Sequence, residues 1–256
     1  MPAPSLWQRL LGPSLTRQVP RDHRQSSAAF RRRQLVTLGF VVLGAGVLAW
    51  SLRITPGSNT FYLATILLAM VWAVGGFASG PLHLGRIDTG VSGPEHGTAA
   101  GTDDGRDAGP LGRPVVQPLL LGLGLAAVFV VGGLAVHALP FLGFLDDAVA
   151  RVLAYADRGS TPLLLAVTVV NGVAEEIFFR GAVYAAIPRR PVVWTTLVYV
   201  VATLATGNVM LGFAAIVVGA VVALQRRASG GVLAPIITHI TWSVVMLYAL
   251  PAIFVR

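Results

Sequence analysis

The chain has no cysteine, which excludes both a disulfide framework and a thiolate-ligated metal site. It has no lysine either, since all nineteen basic residues are arginine. Charge of any sign is scarce: 12% of the 256 residues are charged and 55% are hydrophobic, whereas a soluble domain carries about 25% charged residues. That balance excludes an ordinary water-soluble domain and predicts an integral membrane protein with several spans. Arginine usage together with abundant Gly, Ala and Val suggests a GC-rich genome. The formal charge of +8 does not point to nucleic acid, because the arginines sit where membrane orientation would put them.

Apolar runs of spanning length occur at about 35–52, 60–78, 115–139, 162–187, 192–206, 209–225 and 232–251. They predict an all-α fold, a polytopic transmembrane helical bundle of about seven spans, with six to eight as the range. The fifth and sixth runs are short and separated only by Gly207-Asn208, which reads as tilted helices or a tight helical hairpin. Residues 1–34 form a basic arm, and 35–256 form the membrane bundle. A cleaved leader would have a short basic start and an early apolar core; here about thirty residues precede the first run, so cleavage is not expected. The arm reads as a solvated cytoplasmic segment that touches anionic headgroups.

Residues 80–113 are rich in Gly, Asp and Thr, with few large apolar side chains, and read as a flexible cytoplasmic loop. With the N-terminus in the cytoplasm, Arg86, Arg106, Arg113, Arg189-Arg190 and Arg226-Arg227 all fall on that side. Arg53, Arg151, Arg158 and Arg256 fall on the other. This predicts a multi-pass protein of the bacterial plasma membrane. On the outer side, 141–158 has apolar residues at helical spacing with Asp146, Asp147 and Asp157, the pattern of an interfacial helix.

Against this background the stretch 171–180, NGVAEEIFFR, stands out. Two of the chain's three glutamates, Glu175 and Glu176, lie here side by side with Arg180, inside a run long enough to cross a bilayer. A charge at mid-membrane depth costs about 2.5–3.5 kcal/mol on insertion scales and is usually paired and functional. Glu176 and Arg180 are i,i+4 and suited to an ion pair. Glu175 lies about 100° round the axis, on the face of Asn171 and Thr168, free to look into a polar cavity. Two other ionisable groups fall within spans. His137 is near the end of its run and reads as interfacial. His239 lies deep in the last run, with Ser243 four residues on, and is expected to share a polar site with the glutamates.

The pieces EEIFFRG at 175–181 and GGVLAPIITHITWS at 230–243 resemble motifs of the type II CAAX prenyl protease family and its wider bacterial CPBP group of CAAX proteases and bacteriocin-processing enzymes. The resemblance spans about residues 160–250. It implies an intramembrane endopeptidase with a cavity opening toward the cytoplasm, in which a glutamate and a histidine activate water. Carried over by position, it makes Glu175 the general base with Glu176 and Arg180 in support. His239 is then the donor to the oxyanion, and Ser243 stands where Asn is commoner. The implied partners are the lipid bilayer and a peptide or lipidated-peptide substrate.

One departure matters. The family's second motif, Phe-x-x-x-His, aligns with Tyr199-Val-Val-Ala-Thr203, so threonine holds the histidine position. Thr196, Tyr199, Thr203 and Thr206 keep a polar stripe, but threonine cannot accept a proton near neutral pH. Losing a general acid/base partner typically costs about 10²–10⁴ in rate. Zinc, with Glu175 and His239 as its only plausible ligands beside Glu176, is disfavoured, because no H-E-x-x-H spacing is present; no cofactor is expected to be required. Three functions therefore stand: an intramembrane protease, favoured; a catalytically impaired relative acting as a membrane scaffold; and a proton-coupled transporter using Glu175 and His239. No inverted repeat or pair of matched broken helices supports the last.

Overall fold

The computed structural model describes residues 12, 14–19, 25–88, 111–112, 114–157 and 159–254. Among these, eight main helices form the bundle. They are α1 (Ser27–Ser51), α2 (Asn59–Ala78), α3 (Val116–Ala138), α4 (Gly143–Asp157), α5 (Thr161–Glu176), α6 (Pro191–Leu204), α7 (Val209–Ser229) and α8 (Leu233–Phe254). The helix of α5 continues through a π-helical stretch, Ile177–Val183, and a last turn, Tyr184–Ala186. A two-residue antiparallel ladder pairs Ile87–Asp88 with Leu111–Gly112.

Six of these helices are long and apolar enough to cross a membrane, with α5 counted to Ala186. The fifth expected span, α6, has 14 residues and so reaches only about 21 Å at 1.5 Å per residue, short of a hydrocarbon core of about 30 Å. The other span expected to be short is not. α7 carries on through Gln225, Arg226 and Arg227 and stops only at Gly230, which takes the left-handed conformation at φ 69. α6 and α7 do make the helical hairpin, joined through Gly207 at φ 76. Outward-facing Leu35, Val42, Leu63, Val128, Val131, Val201 and Ile216 remain exposed, as a lipid-facing surface requires.

The interior is held by aromatic packing around the π stretch. Trp72 of α2 stacks on Phe178 with centroids 4.7 Å apart and lies 5.0 Å from Phe179. Ala69, Ala174, Ala182, Val183 and Ala202 complete this cluster. Small residues let the helices approach: a side chain at Gly44 would run into the Trp72 ring, and one at Gly122 would meet Thr241 Cβ at 2.7 Å. Across that second contact, Thr238 donates to the Pro118 carbonyl at 2.8 Å, which ties α8 to α3.

The end regions differ from expectation in their anchoring. α1 begins at Ser27, capped by the Ser26 side chain, so the Arg31–Arg33 triplet is helical and not part of a solvated arm. Arg33 is buried and donates from Nε to the Ser79 carbonyl at 2.9 Å. Further back, the Val19 amide donates to the Arg227 carbonyl, and Arg227 Nη2 donates to the Leu15 carbonyl. The remainder of the basic arm, residues 1–11, 13 and 20–24, lies outside the described residues, as do loop residues 89–110 and Arg113 and Arg158. The described start of that loop is fixed. Val232 and Leu233 donate their amides to the carbonyls of His83 and Leu84, and Arg86 donates to Ser229. These are the first free amides of α8, which a helix start must satisfy from outside.

The interfacial helix expected over 141–158 is α4, led in by a 3₁₀ turn at Pro140–Leu142. Its buried face is Ala148, Val149 and Leu153. Asn208 donates to the Ala148 carbonyl at 2.7 Å while its Oδ1 caps α7 by accepting from Met210 and Leu211. Tyr155 donates to the carbonyls of Leu52 and Ile54, at 2.8 and 2.9 Å. α4 thus lies across the end of the bundle opposite Arg226-Arg227. At that end His137 bonds Asp146 at 3.0 Å, with both side chains substantially exposed.

Backbone meets backbone closely at Gly231, where a Cβ would collide with the main chain of Leu84 and Gly85. Gly231→Ala is expected to cost about 1–3 kcal/mol and to lower the midpoint of thermal unfolding in detergent micelles. Gly124→Ala, at a position open to its surroundings, is expected to leave it unchanged.

Candidate active site

The sequence places Glu175 and Glu176 one residue apart on α5, and the fold makes each face a different neighbour. Glu176 points inward, fully buried, and its Oε1 accepts from Arg180 Nη1 at 3.0 Å. The same oxygen meets His239 Nδ1 of α8 at 2.7 Å. An ionised carboxylate only accepts, so the shared proton belongs to Nδ1. The imidazole's Nε2 makes no hydrogen bond with the described residues. Glu175, a third of a turn round, is only partly buried; its Oε2 accepts from the Tyr199 hydroxyl of α6 at 2.8 Å. Glu175 Oε1 has no hydrogen-bond partner among the described residues.

The i,i+4 pair expected from spacing is therefore present. His239, expected to share a polar site with the glutamates, makes its direct bond to Glu176 and not to Glu175. The reason is rotational. α8 packs along the face of α5 that carries Gly172 and Glu176, with Ile240 lying 3.5 Å from where a Cβ at Gly172 would be. Glu175 is turned away from that seam, toward α6.

Arg180 is fully buried and is held on several sides. Nη2 donates to the Gly219 carbonyl of α7 at 3.1 Å, and its guanidinium lies over the Tyr199 ring, 4.7 Å from the centroid. A Cβ at Gly219 would stand 3.1 Å from the Tyr199 ring and 3.4 Å from Arg180 Nη2, so the glycine gives both side chains close access to that carbonyl. Arg180 lies in the π stretch, and its own carbonyl accepts from Arg226 Nε at 2.7 Å. π turns recur at functional sites, and this one gives a second cation access to the backbone beneath the first.

The remaining sequence candidates fall as follows. Thr203 is buried, but its hydroxyl donates back to the Tyr199 carbonyl at 2.9 Å, so it is committed to its own helix and makes no bond to Glu175. Thr196 is likewise turned onto Val192 O. Asn171 donates from Nδ2 to Val167 O, while its buried Oδ1 has no partner among the described residues. Ser243 lies one turn beyond His239, half-buried, and makes no hydrogen bond with the described residues. His137, at the far end with Asp146, is not part of the cluster. Gly219 and Arg226 were not singled out by the sequence. Arg226 reads there only as a topology marker, and a glycine within an apolar run carries no chemical signal.

At the centre, buried Glu176 Oε2 and Arg180 Nε have no partner among the described residues. A zinc seat does not fit this donor set. Among the described residues no three His, Asp or Glu groups converge on one point, and Glu176 Oε1 and His239 Nδ1 already engage each other beside a guanidinium.

These observations define a membrane-embedded helical bundle with a carboxylate–arginine–imidazole centre inside it. A family model described as Type II CAAX prenyl endopeptidase Rce1-like matches residues 157–245. Over that segment the chain is similar to this family, the one its EEIFFRG and GGVLAPIITHITWS motifs resemble, and every residue of the centre lies within it. Comparisons with curated proteins and with solved structures gave no match.

Glu176 neutralises a cation that has no exposure at all. Glu176→Gln is expected to destabilise the protein by about 3–5 kcal/mol, because it strands a buried guanidinium. Glu175→Gln, at a partly exposed carboxylate, is expected to change stability little. Thermal unfolding of both variants in detergent micelles measures the difference.

Proposed function

We propose that the protein is an intramembrane endopeptidase of CAAX-protease type, in which Glu175 activates a water for attack on a peptide bond. The observation that carries this reading is the division of labour between the two carboxylates. Glu176 spends its Oε1 on both Arg180 and His239, and its other oxygen is sealed in the interior. Glu175 is held by one oxygen and has the other clear of protein donors. A structural ion pair needs one glutamate, and the second is left for chemistry.

In the hydrolytic step, Glu175 Oε1 takes a proton from water as the water oxygen bonds to the scissile carbonyl carbon. The carbonyl becomes an oxyanion, and His239, oriented by Glu176, donates to it from Nε2. The imidazolium that does this is balanced by Glu176. Fixed donors of this kind aimed at developing charge are typically the largest single contribution in acyl chemistry. The proton on Glu175 then passes to the leaving nitrogen as the C–N bond breaks, which returns the site to its starting state. The arrangement follows the general pattern of a base, an oriented imidazole and a third group that orients it. No metal is assigned a step. The substrate is a peptide, lipidated or not, that reaches the site from the end carrying Arg189 and Arg226-Arg227, since α4 lies across the opposite end. That arginine-rich end is taken to be cytoplasmic.

A second reading, a catalytically silent relative serving as a scaffold, is favoured by one observation: Thr203 holds the second-motif position and spends its hydroxyl on its own helix. An internally quenched peptide ending in a farnesylated Cys-aliphatic-aliphatic-X sequence, offered to the protein in proteoliposomes, separates the two. The peptidase reading expects cleavage that Glu175→Ala abolishes and His137→Ala leaves intact. Cleavage absent from the wild type but created by Thr203→His establishes the silent relative instead.

A further inference from the structure

We infer that Tyr199 is the positioning partner of Glu175, doing through its phenol what the absent second-motif histidine would otherwise do. The inference rests on the peptidase reading for its catalytic meaning and on geometry alone for the contact itself.

Three independent contacts fix the phenol. The hydroxyl donates to Glu175 Oε2 at 2.8 Å. The ring face lies under the Arg180 guanidinium at 4.7 Å. The ring also meets Phe179 edge-on, with centroids 4.8 Å apart. Gly219 closes the third side, where any Cβ would press on Tyr199 Cδ1 at 3.1 Å. Tyr199 is thus clamped by α5's π stretch and by α7, and its hydroxyl has one direction in which to point. It points at the only carboxylate of the site that is not already neutralised.

The consequence is geometric. A glutamate at the end of three rotatable bonds samples many positions, and ordering it costs entropy. A charge-assisted hydrogen bond to one oxygen removes most of that freedom and aims the other oxygen at the water. Thr203 cannot share the task, because its hydroxyl is tied to the Tyr199 carbonyl. That same bond braces the backbone beneath the phenol. Tyr199 exchanges no proton in the cycle: it holds Glu175 Oε2 while Oε1 takes and gives the proton. This explains how the motif tolerates threonine four residues later. The donor has moved one helical turn, from the second motif's last position to its first.

The test uses the full chain in proteoliposomes as wild type, Tyr199→Phe, Tyr199→Leu, Thr203→His and the double variant Tyr199→Phe/Thr203→His, with the farnesylated quenched peptide as probe. Tyr199→Phe keeps the ring under Arg180 and removes only the donor. It is expected to retain the wild-type thermal midpoint and KM while kcat falls about 10–100-fold, the range for losing a hydrogen bond to a charged group. Thr203→His in the Tyr199→Phe background is expected to restore part of that loss, because it returns the histidine of the second motif. Tyr199→Leu, which also removes the ring, is expected to lower the thermal midpoint as well. A Tyr199→Phe variant with unchanged kcat, or with its loss confined to KM, overturns the assignment.

A readout independent of turnover is labelling by dicyclohexylcarbodiimide, an apolar reagent for membrane-embedded carboxyl groups, followed by peptide mass spectrometry. Glu175 is expected to label severalfold faster in Tyr199→Phe than in wild type, because the phenol no longer covers Oε2. Glu176, held by Arg180 and His239, is expected to label equally in both. If the wild type cleaves no probe, the peptidase reading fails and the labelling still decides whether Tyr199 holds Glu175. Equal labelling of Glu175 in the two proteins overturns the inference whatever the probe shows.

Discussion

The buried contact between Glu176 and Arg180 is the constraint on which the rest depends. A guanidinium with no exposure, inside a protein surrounded by lipid, has no water to fall back on. Its charge must be met by the fold or the fold fails. One carboxylate oxygen meets it, and a ring of weaker partners from three other helices follows: the Gly219 carbonyl from α7, the Tyr199 ring from α6 and, through Glu176, the His239 imidazole from α8. A single ion pair on one helix therefore dictates where four helices stand. Interactions between helices in lipid lack the usual hydrophobic drive and rely on close packing and polar contacts. Here the polar contacts are concentrated on one arginine.

That concentration explains why the site has two adjacent acids. Neighbouring residues on a helix diverge by about 100°, so Glu176 can be buried against α8 while Glu175 looks toward α6. One acid holds the architecture and the other remains available. The Trp72–Phe178–Phe179 cluster behind them supplies rigidity, so that residues on either side of the π stretch keep their positions. The small residues Gly219, Gly172 and Gly122 set how near α7, α8 and α3 can come.

Much of this is legible in the chain itself. Scarce charge and repeated apolar runs fix an all-helical membrane bundle, and the i,i+4 spacing of Glu176 and Arg180 is enough to pair them. His239 could be placed with the glutamates because an imidazole deep in a span needs a polar partner. Which glutamate it would meet was not readable, since that depends on the rotation of α8 about its own axis against α5. The π stretch was also hidden: IFFRGAV carries no pattern that separates a π turn from an α-helix, and the widening coincides with the aromatic packing of Phe178 and Phe179. Arg226-Arg227 look like loop residues because they are charged, yet they end a helix that continues to Gly230. The docking of Leu84–Gly85 on Gly231 involves main chain against main chain and leaves no side-chain pattern to find.

That last contact has a consequence for where the domain ends. The segment that matches the family model begins at residue 157, but the amides that start the helix of His239 are satisfied by His83 and Leu84. The aromatic wall behind Arg180 is likewise completed by Trp72. Both supports come from the part of the chain outside the match. The recognisable portion is therefore not a self-sufficient module. Transplanted alone, it would lack a back wall and the anchor of its last helix, so the less family-like front half is as much a component of the polar centre as the residues that line it.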